Sequence, residues 1–228
     1  MIAIVDYGVG NLFSLSSSVK SLGAEVRVTR DAADLRTADH ILLPGVGAFA
    51  DAMAKLEATG LVPVLREETQ KKPLLGICLG MQMAVVEYAR HVLGLTGAHT
   101  SEVDPNTPYP VIDLMPDQKD VRSKGATMRL GAYPCAVLPG TLLDRCYGCA
   151  EVRERHRHRY EFNNTFRPQL ESAGLCICGT SPDKRLVEAV ELPGHPFYLG
   201  VQYHPEFKSR PNRAHPLFRA FVRAHWMR

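Results

Sequence analysis

Short apolar runs alternate with stretches of helical period through the first half of the chain, and the alternation then breaks off. "IAIVDY" reads as a buried strand and runs into the turn "GVGN". Asn11 is placed to cap a helix over residues 12–22, which Gly23 ends. "EVRVT" is a second strand, with Val26 and Val28 on one face, and "HILLPG" is a third that closes on the glycine-rich turn "PGVGAF". Helical patterns follow over residues 51–58 and 61–69, then the strand "PLLGIC" and the helix "MQMAVVEYARHVL". Strict alternation of strand and helix predicts a mostly parallel sheet covered on both faces by helices. Ligands of such sheets sit at the carboxyl ends of the strands. Two glycine turns, and Cys78 itself, fall at ends of this kind.

The second half is patterned differently. Residues 96–124 are rich in proline and aspartate with little periodicity, which predicts a long structured loop. "ATMRLGAYPCAVL" has the look of a strand, and "GLCICGTSPDKRLVEAVEL" of a hairpin turning at Ser181, Pro182 and Asp183. "HPFYLGVQYHPEF" supplies one more strand. The chain closes on the amphipathic helix "HPLFRAFVRAHW", whose Leu217, Phe218 and Phe221 share a face. The expectation is a single α/β domain over residues 1–228, of flavodoxin-like design, with a small antiparallel appendage.

Length and composition narrow the classes without choosing among them. At 228 residues the chain buries a substantial core without staples, and 45% apolar with 22% charged residues is an ordinary globular balance. A net charge of +3 is too mild to imply nucleic acid. Basic residues do gather in "RERHRHRY" and "FKSRPNRAH", which leaves room for a local anionic ligand, and for "RERHRHRY" a solvated loop or an anion patch is the plainest reading. No apolar run reaches the roughly 18 residues of a membrane span. "MIAIVDYG" carries no basic segment ahead of its apolar run, so no signal peptide is expected. Six cysteines without a secretory signal point to free thiols and a cytoplasmic location.

The chemistry centres on "GICLG". A nucleophile framed by small residues between a strand and a helix has the form of a nucleophile elbow. The following helix would aim N–H groups and its dipole at the Cys78 sulfur and favour thiolate. The plainer reading is a small buried hydrophobe. A thiol nucleophile needs a base, and the base an orienter. In "VQYHPEF", His204 and Glu206 lie two apart and point the same way on an extended chain, which Pro205 favours for His204. Such a triplet is otherwise an ordinary strand end facing solvent. An oxyanion hole would draw on the N–H of Leu79 and, from "PGVGAF", the N–H of Val46.

"PGVGAF", "GICLGMQ" and "HPE", in this order over nearly the whole chain, resemble a class I (triad-type) glutamine amidotransferase domain. The resemblance implies that Cys78 attacks the amide of L-glutamine, that His204 is general base and then acid, and that Glu206 orients it. Within it, residues 1–82 ("MIAIVDYGVGN", "LLPGVGAF", "KPLLGICLGMQ") look like the glutaminase subunit of imidazole glycerol phosphate synthase, of histidine biosynthesis. Residues 83–226 ("AVVEYARHVLGL", "TMRLGAYPC", "ERHRHRYEFNN", "HPEFKSRP") look like the glutaminase domain of CTP synthase, of pyrimidine biosynthesis. A chimera joined near residues 76–83 is therefore expected. The resemblance to CTP synthase implies that Glu102 holds the substrate ammonium, that Arg159 holds its carboxylate, and that Gln82 and Gly45 line the pocket. The CTP synthase family carries a glycine where Val46 stands and an arginine-bearing loop after it, so no GTP response is expected here. An amidoligase or a (β/α)₈-barrel cyclase is implied as the ammonia-accepting partner, with low activity for the chain alone.

No cofactor, metal, nucleic acid or membrane is expected. Cys146, Cys149, Cys176 and Cys178 number enough for a four-thiolate zinc site, but the C-x-C spacing within a strand pattern argues against one, and Cys135 reads as packing. Two other functions share the motifs: a γ-glutamyl hydrolase on the same triad, and a docking module that is inactive or poorly organised.

Overall fold

The computed structural model describes residues 1–114 and 128–224. Its first half follows the apolar runs: β1 (Ile2–Val5), α1 (Leu12–Lys20), β2 (Val26–Thr29), α2 (Ala32–Thr37), β3 (His40–Leu43), α3 (Phe49–Ala58), α4 (Val62–Glu68), β4 (Leu74–Ile77) and α5 (Leu79–His91). Every residue of β1, β3 and β4 is buried, as continuous apolar runs in a parallel sheet should be. The Asn11 side chain accepts from Ser14 N–H at 3.2 Å and caps α1. The short α2 had no sequence expectation; Asp31 caps it, accepting from Ala33 N–H at 2.8 Å.

The second half comprises β5 (Ala98–Thr100), β6 (Tyr109–Leu114), β7 (Arg129–Val137), α6 (Leu142–Tyr147), β8 (Glu151–His158), β9 (Tyr160–Phe162), α7 (Arg167–Ser172), β10 (Cys176–Thr180), β11 (Val187–Glu191), β12 (Tyr198–Val201) and α8 (Pro216–Arg223). Three expectations need correction. The loop expected over 96–124 contains β5 and β6 in its described part, while 115–124 lies outside the described residues. The basic segment "RERHRHRY" is mostly strand, not loop: Glu154, His156 and His158 of β8 point inward and arginines alternate outward. The antiparallel strands are no appendage but continue the main sheet.

That sheet has nine strands in the order β2-β1-β3-β4-β12-β11-β10-β7-β8. β2 through β12 run parallel, and from β12 to β8 each pair is antiparallel. A separate three-stranded sheet, β5-β6-β9, packs on α5. One apolar core lies between the main sheet and α3, α4 and α5; the other holds α1, α6 and α8 against its opposite face. Leu217, Phe218 and Phe221 of α8 are all buried in the latter, as their shared face requires. Among the described residues, no helix is long and apolar enough to cross a membrane.

Candidate active site

Three neighbouring parallel strands, β3, β4 and β12, end side by side, and the sequence motifs stand at those ends. Cys78 directly follows β4 and has φ 54°, one of two non-glycine residues with positive φ among those described. Such a backbone is costly for a residue with a Cβ and persists only where its surroundings hold it. The Cys78 N–H donates to Val201 O of β12 at 2.7 Å, and its carbonyl accepts from Gln82 N–H in the first turn of α5. Gly80 is obligatory at this crossing, since a Cβ there would lie 2.2 Å from Leu43 O.

His204 follows β12 and is wholly buried. The strand stops at Val201, and Pro205–Phe207 forms a 3₁₀ turn, so the expected extended chain through "HPEF" is corrected. Pro205 opens the turn with its fixed φ, while His204 before it keeps a non-helical backbone. The turn still brings the two side chains together: His204 Nδ1 and Glu206 Oε1 are 2.9 Å apart. Phe207 stacks on the imidazole at 4.8 Å, and the His204 N–H donates to Arg155 O of β8 at 2.8 Å. Nε2 makes no hydrogen bond of sound geometry to any described residue, and the Cys78 thiol is the group that bears on it. Burial alone would depress this imidazole, but hydrogen bonding and charge from Cys78 and Glu206 outweigh it and hold the pKa up at about 10.

The turn after β3 carries Gly45 and Val46. A Cβ on Gly45 would sit 2.4 Å from Leu79 Cβ and 2.9 Å from Gly80 N, so glycine lets this turn lie against the elbow. Gly45 packs there and is not among the cleft-lining residues. Val46 and Leu79 do line the cleft beside Cys78. Sequence reasoning missed Tyr7, whose buried hydroxyl donates to Pro44 O at 2.5 Å and anchors the start of this turn.

The cleft has a volume of about 930 Å³, and Cys78, Gln82, Glu102 and Arg159 all open onto it. Glu102 accepts from Phe49 N–H at 3.2 Å; burial raises its pKa, against the opposing pull of that N–H and of the Arg159 charge. Arg159, between β8 and β9, keeps a buried Nε without a hydrogen bond. Gln82 Nε2 donates to Tyr160 O at 2.9 Å and to Gln202 Oε1 at 3.0 Å, and its buried Oε1 is free. Gln202 was also missed: its amide lies 3.7 Å from Cys78 Sγ. Its signal was present, since Gln202 stands two residues before His204. Among the described residues, no group of three or more His, Cys, Asp or Glu is arranged to hold a metal ion.

Comparison with known proteins agrees with this geometry. The chain is 54% identical to the CTP synthase of Geobacillus kaustophilus (strain HTA426) over 217 residues, 94% of this chain and 40% of that protein. It is 53% identical to that of Staphylococcus aureus (strain JH9) over 201 residues, 88% of this chain and 37% of that protein. The chain thus spans well under half the length of these curated relatives. A match to 94% of the chain takes in most of residues 1–82, so the comparisons lend no support to the expected chimera. Among solved structures, the glutaminase domain of Trypanosoma brucei CTPS with bound acivicin superposes with a TM-score of 0.80 at 29% identity, covering 97% of this chain and 91% of that one. The family profile described as Glutamine amidotransferase class-I matches residues 3–224, and the chain belongs to that family.

Proposed function

We propose that the chain is a glutaminase domain of the CTP synthase type, which hydrolyses L-glutamine to L-glutamate and ammonia and passes the ammonia to an amidoligase. The observation that carries this is the strained Cys78 elbow beside the buried His204–Glu206 pair, with Cys78 opening onto a cleft lined also by Glu102, Arg157 and Arg159. Glu102 takes the α-ammonium and Arg159 the α-carboxylate, a pairing that selects a free amino acid over a peptide. Gln82, with its free Oε1, lines the same pocket.

In the reaction, His204 Nε2 carries the proton given up by the thiol, and Cys78 Sγ attacks the amide carbon. The N–H groups of Leu79 and Val46 stabilise the resulting oxyanion; the first turn of a helix leaves such groups without internal partners. The imidazolium returns its proton to the leaving nitrogen, the C–N bond breaks, and ammonia departs from a γ-glutamyl thioester. Water then attacks the thioester with His204 as base, and glutamate leaves as the thiol is restored. Glu206 holds the imidazole throughout, bonded at Nδ1.

The test is mass spectrometry after exposure to 6-diazo-5-oxonorleucine, with glutamate release measured in parallel. One adduct at Cys78 and abolished release in Cys78→Ala are expected. An adduct elsewhere, or none in a folded sample, rejects the reading. Turnover of γ-glutamyl anilide above that of glutamine would favour the γ-glutamyl hydrolase instead.

A further inference from the structure

A second cavity of about 290 Å³ lies between α3, α4 and α5. Its walls include Leu43, Phe49, Met83 and Val86, each no more than 7% exposed. It is too small for a helix 10–12 Å across, but falls in the range that closes around a small molecule. Arg66 and Arg90 at its edge are both paired with Glu87, at 2.5 and 3.6 Å, and Glu57, without an ion pair among the described residues, is exposed to solvent, so the mouth makes no demand for a charged guest. The half-buried Tyr198 hydroxyl in the wall makes no hydrogen bond to any described residue.

The cavity touches the site at several points. Leu43 and Phe49 bracket the 44–48 turn, and both are cavity walls. Phe49 also donates its N–H to Glu102, and its ring meets His99, another wall residue, at 5.9 Å. Val103, next to Glu102 in sequence, lines the cavity as well. Wall residues facing a void lack packing partners on that side, which leaves Phe49 less firmly held than a filled core would hold it.

We infer that this cavity is an effector site for a small, neutral, largely apolar molecule with one hydrogen-bond acceptor for Tyr198, and that filling it steadies Phe49 and Glu102 and tightens glutamine binding. The coupling rests on the proposed role of Glu102; the cavity does not. Acetophenone and toluene serve as probes on the full chain labelled with ¹³C at the methionine methyls, because Met53 and Met83 line the space.

Saturable shifts of Met53 and Met83 with both probes are expected, lost in Ala84→Leu, which fills the cavity from α5. Tyr198→Phe should weaken acetophenone about 3- to 10-fold and leave toluene unchanged, the loss of one hydrogen bond. Should Ala84→Leu not fold, Ala50→Leu at the mouth takes its place. Absence of saturable shifts, or their persistence in the filled variant, overturns the site. Glutamine affinity is read calorimetrically in Cys78→Ser, where no turnover intervenes, and should improve at least twofold with acetophenone. An unchanged affinity overturns the effector role. Failure of glutamine to bind at all without a probe counts against the glutaminase reading instead, and the methyl shifts still decide the cavity.

Discussion

The two halves of the main sheet solve burial in opposite ways. Strands β1, β3 and β4 are buried on both faces, and Gly45 and Gly80 let the chain pass where a Cβ would collide. From β7 to β11 the sheet buries charge. Arg129 Nη1 lies 2.6 Å from Glu188 Oε1 and 3.6 Å from Glu161 Oε1, and His158 Nε2 lies 2.6 Å from Glu161 Oε1. His156 sits between Glu188 and Tyr203, and Glu154 accepts from Tyr147 and meets His215 and Lys208. The first half positions the nucleophile through shape. The second positions Gln202, His204 and Arg159 through polar partners that must all be present together.

The sharpest test of that contrast is to strand a charge. Arg129→Leu leaves Glu188 and Glu161 buried without their cation, and about 3–5 kcal/mol of stability should be lost. Burial already pushes the Glu188 carboxyl up while Arg129 opposes it. Without Arg129 the carboxyl escapes by binding a proton, so the loss should grow as pH rises through about 8. Arg129→Leu combined with Glu188→Leu should recover much of the loss, which denaturant midpoints of the three variants will show. A single variant no less stable than the wild type would mean that the cluster is wet, and that the contrast between the halves is only apparent.

His204 stands where the halves meet. Its unfolded imidazole titrates near 6.5, and the folded one is held at about 10. The folded value is the higher, so the stabilisation is complete below pH 6.5 and is lost as pH rises through about 10. Its size is a few kcal/mol. Unfolding midpoints at pH 6, 8 and 10 should fall in the wild type and stay flatter in Cys78→Ala, which removes the sulfur that supports the imidazolium. Parallel slopes would show that the pair does not hold the proton.

The same contrast explains what could be read in advance. β1, β3 and β4 were legible because a strand buried on both faces must be an unbroken apolar run. Cys78, Val46, Leu79, His204 and Glu206 were legible because their motifs fall at strand ends. β8 was not: "RERHRHRY" alternates with period two, but its inward residues are histidine and glutamate, and hydrophobicity gives no sign of a buried face made of polar side chains. β5 and β6 were hidden by the prolines around them. The course of the antiparallel strands within the main sheet depends on long-range pairing such as Gly179 with Val137, which no local pattern encodes. Tyr7 was missed because its partner is a carbonyl 37 residues away.

Glycine-to-alanine changes compare the halves at a smaller scale. Gly45→Ala meets Leu79 Cβ at 2.4 Å and backbone at 2.9 Å, neither of which can yield, and should cost about 1–3 kcal/mol. Glutamate release should fall at least tenfold as the 44–48 turn moves from the elbow. Gly179→Ala on β10 meets Cys135 Sγ and Leu143 Cδ2 at 3.0 Å and Ala189 Cβ at 3.1 Å, none as close as the contacts at Gly45, and should cost less. A reversed order would mean that the close approach at Gly45 is not what sets the turn.

Tyr7→Phe asks whether one polar contact in the apolar half matters to the turn it holds. The ring stays, so packing is unchanged, and loss of the bond to Pro44 O should cost about 0.5–1.5 kcal/mol. Pro44 O then keeps no partner to fix the plane of the peptide leading to Gly45 and Val46. If the Val46 N–H stabilises the oxyanion, kcat should fall several-fold while KM for glutamine stays level, because the hole acts on the transition state and not on the bound substrate. Equal changes in kcat and KM would instead place the effect of Tyr7 on the substrate pocket. A stability loss with neither parameter altered would make it a core contact like its apolar neighbours.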